Sequence, residues 1–188
     1  MATLKYIFAL IRVLAILPGV RWKERKFTKD LERWSCHYNL SGGKTLRFAL
    51  LMWSYPEFRN LFIYRNRFRR IYRTLVKILY APMNTLFLEA GEIGVGLFIQ
   101  HGFSTVLAAQ SVGENCWINQ QVTVGYTGSG RPPIIGNNVM ITCGAKVLGE
   151  IIVGDNAVIG ANAVVLKDVE PGATMVGVPA RKLDREKP

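Results

Sequence analysis

Residues 135–169 read IGNNVMITCGAKVLGEIIVGDNAVIGANAVVLKDV. An aliphatic residue returns at every sixth position: Ile135, Ile141, Val147, Val153, Ile159 and Val165. Four residues after each stands a second apolar residue, mostly small: Val139, Ala145, Ile151, Ala157, Ala163 and Val169. Gly136, Gly154 and Gly160, with Asn137, Asp155 and Asn156, supply turn chemistry between them. A helix repeats its apolar residues near 3.6 and a half-buried strand near 2. A period of six predicts a solenoid of short strands and tight corners, with coils of about 18 residues stacked on one another. Upstream, Ile93 and Ile99, then Val112, Ile118 and Val124, keep the same register. One extra residue is expected between Thr105 and Val112, and an insertion from Tyr126 to Pro133. Pro171-Gly172 is expected to close the last coil.

Further motifs surround this repeat. They are Gly94-Val95-Gly96-Leu97 with His101-Gly102, the run Ile118-Asn119-Gln120-Gln121-Val122-Thr123-Val124-Gly125, Gly144-Ala145-Lys146-Val147-Leu148-Gly149, and Gly177-Val178-Pro179-Ala180-Arg181. With them the chain resembles the hexapeptide-repeat acyltransferases, nearest to the serine acetyltransferase branch, over about half its length. The resemblance implies a left-handed parallel β-helix. Chain chirality alone would favour the opposite hand, since parallel crossovers are right-handed in about 98% of cases. The expected fold class is therefore α+β: an N-terminal α-helical region over residues 1–84, a left-handed β-helix over 85–183, and a charged tail at 184–188.

Composition bounds the alternatives. The chain has 188 residues, 49% hydrophobic and 20% charged, which suits one compact domain with a smaller region beside it. Cys36, Cys116 and Cys143 form an odd, scattered set without metal or disulfide spacing, pointing to a reducing compartment. The expected location is the cytoplasm, with peripheral membrane contact as an option for the N-terminus. Residues 1–90 hold 17 Lys+Arg against 5 Asp+Glu, and residues 91–188 hold 7 against 8. The net charge of +11 thus belongs to the N-terminal region rather than to the solenoid.

That region begins with a largely apolar stretch, Leu4 to Val20, interrupted by Lys5 and Arg12. It is short for a span, and a central Arg opposes insertion by about 2.5–3.5 kcal/mol. No small-residue cleavage site precedes Trp22. The reading is an amphipathic helix that packs on partner subunits or lies in a membrane interface. Trp22, Lys23, Arg25 and Lys26 follow, an aromatic-basic cluster suited to headgroups. Further helices are expected over Thr28–Trp34, over Leu46–Trp53 and from Pro56-Glu57, where proline and a carboxylate suit a helix start. Phe68, Ile71, Tyr72, Leu75 and Leu79 keep helical spacing and are assigned to core packing. Nucleic-acid binding is not expected, because the aromatics follow that apolar stripe. An acidic partner such as a membrane surface or an anionic glycan carrier stays open.

The chain holds two histidines. His37 has no motif around it. His101 falls at a coil corner between Gln100 and Gly102, where its ring can leave the coil. A neutral imidazole can take a proton from an alcohol near pH 7. By resemblance, His101 is the general base that activates an acceptor hydroxyl for direct attack on acetyl-CoA. The resemblance also assigns Gly125, Cys143 and Ala161 to the cofactor through main-chain groups, with Lys167 and Arg181 at its phosphate or adenine end. It implies a homotrimer with sites between solenoids, and the helices allow higher assembly. No metal cofactor is expected: a β-helical carbonic anhydrase needs three histidines for zinc. Cys116 and Cys143 are read as structural residues rather than nucleophiles.

The chain departs from the family pattern. Gln100 stands where serine-binding members place an aspartate directly before the histidine. Leu86 stands where they place another, fifteen residues before it. Pro132 replaces a histidine of the long loop, although the preceding arginine persists as Arg131. Gln120 is retained. Gln100, Gln120 and Arg131 are therefore candidate acceptor contacts, Arg131 through a bidentate grip on carboxylate or phosphate. Glu89 and Glu92 are candidates for orienting His101. The acceptor stays open between L-serine and a sugar hydroxyl of capsule or exopolysaccharide precursors, and a non-catalytic membrane-associated assembly protein is the reading from another class. Family members that dock the next enzyme of cysteine synthesis end in isoleucine; this chain ends in Pro188, and that complex is not expected.

Overall fold

A computed structural model describes residues 2–128 and 130–183, with side chains described from Tyr6 onward. The expected charged tail at 184–188 lies outside the described residues. The chain divides into two compact units, Met1–Asn84 and Thr85–Pro188.

The first unit holds five helices: α1 Ala2–Val13, α2 Arg25–His37, α3 Lys44–Ser54, α4 Pro56–Arg65 and α5 Arg70–Leu79. Pro56 starts α4 at its first turn, where no N–H is needed. The apolar N-terminal stretch is not helical throughout. α1 stops at Val13, and a 3₁₀ turn at Leu17–Gly19 carries the chain to Val20. The core is aromatic and edge-to-face, with Phe27–Phe48 at 5.4 Å, Phe48–Phe62 at 5.1 Å and Trp34–Phe58 at 5.4 Å between centroids. Trp22 joins this core, 5.5 Å from Phe27 and 5.8 Å from Phe48, so it is not a free interfacial anchor. Arg59 closes the end of α3 by donating to the carbonyls of Met52 and Trp53, both at 2.6 Å. A buried bidentate pair ties α2 to α4: Arg65 donates from Nε to Asp30 Oδ2 at 2.8 Å and from Nη2 to Oδ1 at 3.2 Å.

One expectation for this unit fails. Of the apolar stripe assigned to the core, Phe68 is 83% exposed and Ile71 90%, and Leu75 is exposed as well. Tyr72 of the stripe does pack inward, 6.2 Å from Phe62, and Val76, outside the stripe, is fully buried. The pattern located the apolar residues correctly, but the helix is turned about its axis so that part of its apolar face stays outside.

The second unit is a three-sided solenoid. The first sheet stacks β1 Leu86–Leu88, β4 Thr105–Leu107, β7 Thr123–Gly125, β10 Lys146–Leu148 and β13 Val164–Val165. The second stacks β2 Glu92–Ile93, β5 Ser111–Val112, β8 Ile134–Ile135 and β11 Ile152–Val153. The third stacks β3 Phe98–Ile99, β6 Trp117–Ile118, β9 Met140–Ile141, β12 Val158–Ile159 and β14 Thr174–Val176. All of these pairings are parallel. The six-residue aliphatic column lines the interior: Ile135, Ile141, Val147, Val153, Ile159 and Val165 are all buried. Pro171-Gly172 does not close the last coil. It forms one more corner, with Gly172 at φ 71°, and leads into β14. The coil ends where β15 Arg181–Lys182 turns back antiparallel to β14.

Corner chemistry follows the sequence. Asn115, Asn138 and Asn156 adopt φ of 57°, 55° and 61°, which asparagine tolerates better than most residues. They stack in register, and Asn138 donates to Asn156 at 3.1 Å. Alongside, Asp155 accepts from the Asn137 backbone N–H at 2.7 Å and from its side chain at 3.2 Å. These bonds, the backbone one first, hold its carboxyl below the usual carboxylate range. At the same corner the glycines touch across coils. A Cβ on Gly113 would lie 2.5 Å from the carbonyl carbon of Gly136. Gly113→Ala is therefore expected to lose about 2–3 kcal/mol in a denaturant titration, because backbone rather than a flexible side chain must yield.

Candidate active site

The corners that join the third sheet to the first carry most of the expected site. In the upper coils this turn spans six residues from one inward position to the next: Ile118 to Val124, Ile141 to Val147, Ile159 to Val165. Between Ile99 and Leu107 it spans eight, because Leu107 aligns with Val124. On the following side, Leu107 to Val112 takes five. The single extra residue expected between Thr105 and Val112 is thus the sum of two changes, two residues gained before Thr105 and one lost after it. The cause of the misplacement is Thr105. It lies six positions after Ile99 yet fills the column of Val122 and Ala145, not the aliphatic one.

The widened corner is where His101 stands. Its neighbours in the stack carry one left-handed residue each, Gln121, Gly144 and Asn162 at φ 59°, 73° and 58°. Here Ser104 fills that role at φ 54°, and His101 adds a second at φ 55°. The two-residue excess lifts the imidazole off the wall, and His101 is exposed. Two contacts hold the excursion. Asn119, one coil on, donates to Gln100 Oε1 at 3.2 Å. The hydroxyl of Thr105, a fully buried residue, reaches the carbonyls of Phe103 and Asn119, both at 3.3 Å. The sequence motifs include Asn119 and the register marker Thr105 but assign neither a role at this corner. A polar residue inside an apolar column was the available signal for Thr105.

The remaining expected residues fall into two groups. Gln120, Cys143 and Ala161 continue the His101 corner upward, one per coil, at about 4.8 Å per step. Backbone bonds lock this ladder: Gly144 donates to Gln120 O at 3.0 Å and Asn162 to Cys143 O at 2.9 Å. Arg181 lies at its top, in the coil end where Ala180 donates to Val164 at 2.7 Å. Lys146 also belongs here, its ammonium donating to Gln121 O at 2.7 Å and Gly144 O at 3.0 Å. Cys116 is buried, with its thiol 3.1 Å from Gly136 O, and Cys143 is half-buried.

Glu89, Arg131 and Lys167 belong to the other edge of the first sheet, where it turns into the second. Arg131 is exposed in the insertion between β7 and β8, with Nε 3.9 Å from Glu150. Gln110 anchors that insertion by donating to Pro132 O at 3.0 Å. Gly125, at the base of the insertion, is buried, yet a Cβ there would meet nothing within 4 Å. Glu92 lies in β2 of the second sheet. Both glutamates thus lie away from the corner that carries His101. A single chain therefore groups His101, Gln100, Gln120, Cys143, Ala161 and Arg181 at one edge and sets Arg131, Gly125 and Lys167 at the next.

A stacked three-sided parallel solenoid with six-residue repeats is the architecture of the hexapeptide transferases. Residues 132–167 match the family model described as bacterial transferase hexapeptide (six repeats). The serine acetyltransferase of Synechococcus elongatus is 39% identical over 142 residues, which is 70% of this chain and 58% of that protein. That of Helicobacter pylori is 38% identical over 144 residues, 71% of this chain and 84% of that protein. The crystal structure of the Neisseria gonorrhoeae serine acetyltransferase in complex with serine superposes with a TM-score of 0.63 at 27% identity, over 84% of this chain and 67% of that one. The chain belongs to the serine acetyltransferase family, and its second unit is a parallel β-solenoid matching the structures of that family. No helix among the described residues is long and apolar enough to cross a membrane.

Proposed function

We propose that the protein is an acetyl-CoA-dependent serine O-acetyltransferase with His101 as general base. The observation that carries this reading is the widened corner that holds an exposed imidazole where the corresponding corners of the following coils are two residues shorter. The names of its relatives support the transferase chemistry, and the Neisseria enzyme solved with serine supports the acceptor.

In this reading His101 accepts the proton of the serine hydroxyl as the oxygen attacks the thioester carbonyl. The resulting imidazolium returns the proton to the departing thiolate, leaving the O-acetyl ester and free CoA. Positive charge on Arg181 and Lys167 suits the phosphates of the donor. The open space over Gly125 suits close approach of a ligand or neighbouring backbone. The split between two edges supports a homotrimer. In a cyclic assembly, different faces of neighbouring copies meet. The Arg131 edge of one chain then completes the His101 edge of the next.

The test is CoA release with L-serine, L-homoserine and nucleotide-activated sugars side by side, with the assembly mass measured on the same sample. L-serine is expected to lead L-homoserine in kcat/KM by about 10–200-fold, the size one extra methylene commands, and the sugars by more. Turnover of a sugar without turnover of serine overturns the acceptor.

A further inference from the structure

We propose that the N-terminal unit docks on an anionic lipid surface through the outward faces of α1 and α5. α1 is apolar on both sides. Ala9 and Val13 are fully buried, while Ile7, Ile11 and, just past its end, Leu14, at spacings of four and three, are about half exposed or more. A helix at the surface of a soluble unit needs only one apolar stripe, and one that is apolar all round needs cover on its second side. α5 repeats the feature. Ile71, Leu75 and Ile78 form an exposed stripe at the same spacings, with Ile78 at 74%, and Phe68 precedes it. α5 lies against the end of α1 and the turn that follows it. The Tyr72 hydroxyl donates to Ile16 O at 2.8 Å, Arg69 donates to Gly19 O at 2.6 Å, and the Arg12 guanidinium donates to Leu79 O. Scattered exposed aliphatics need no explanation, but two stripes repeating at helical spacing on elements tied to each other do.

Charge decides what covers it. Residues 1–84 hold 17 Lys+Arg and 4 Asp+Glu, a net +13. Arg70 and Lys77 stand exposed on α5 itself, and Arg67 stacks over Phe68 at 4.6 Å. A second copy of the unit would bring +13 against +13. An anionic headgroup layer neutralises these cations while its acyl boundary takes the aliphatic stripes. α1 has 12 residues, too short to cross the bilayer, so the contact lies in the interface plane.

The experiment is co-flotation of the full chain with vesicles of phosphatidylcholine alone or with an equal part of phosphatidylglycerol. Binding to the anionic vesicles is expected to be at least about tenfold stronger and to fall with salt. Ile11→Glu with Leu14→Glu, and separately Ile71→Glu with Ile78→Glu, are each expected to weaken it at least ~10-fold while far-UV circular dichroism stays unchanged. Arg70→Glu with Lys77→Glu, at exposed positions, tests the charge term without touching the apolar stripes and decides the matter if a glutamate pair unfolds the unit. No binding, equal binding to both vesicles, or unchanged binding by the Arg70/Lys77 variant overturns the proposal. So does a change of assembly mass in the glutamate variants with lipid binding intact, which assigns the patch to a second copy.

Discussion

Replacing His101 by Asn is expected to lower acetyl transfer by about 10²–10⁴-fold, the usual size of a general-base contribution. The choice of asparagine follows from the backbone. His101 sits at φ 55°, where a β-carbon crowds the carbonyl and costs roughly 1–2 kcal/mol for most residues. Asparagine tolerates that region, so His101→Asn removes the imidazole while keeping the corner. His101→Ala removes the base and adds strain as well. A general base should cost kcat and kcat/KM together, with assembly and thermal melting unchanged. Wild-type rates in His101→Asn would take this residue out of the mechanism and with it the reading of the widened corner.

The second large effect is structural. Asp30→Ala is expected to cost about 3–5 kcal/mol of stability, because it leaves the Arg65 guanidinium buried without its carboxylate. Both side chains are nearly sealed, at 7% exposure for Arg65 and 3% for Asp30. Their bond is bidentate, and it joins α2 to α4 across the aromatic core. Removing both charges with Asp30→Leu and Arg65→Met should recover most of the loss, since an apolar pair avoids the desolvation cost. Thermal or denaturant unfolding of the two variants checks this. A small effect in Asp30→Ala would mean that water or another partner reaches Arg65.

Much of the architecture was legible because a solenoid is written locally. Each coil contacts only its neighbours, so a six-residue period in sequence becomes a column in space. Turn residues at fixed offsets mark the corners, and Pro56 marks a helix start. Thr105 shows where this reading fails. Two columns, one aliphatic and one small, run along each side. A residue six positions after Ile99 can belong to either until strand pairing assigns it. The same ambiguity hid the two-residue excess that raises His101. Gln100 was visible as a departure from the family pattern, whereas its bond to Asn119 requires knowing which residues stack one coil apart.

The sequence by itself determined the repeat, its corners, the concentration of positive charge in the first 90 residues, and the histidine at a turn. Only the tertiary structure decided that Phe68, Ile71 and Leu75 face outward and that Trp22 faces inward. It also separated Arg131 and Lys167 from the His101 edge. Periodicity states which residues share a face. It carries no information on which face a neighbouring element covers, because that depends on packing between residues distant in the chain.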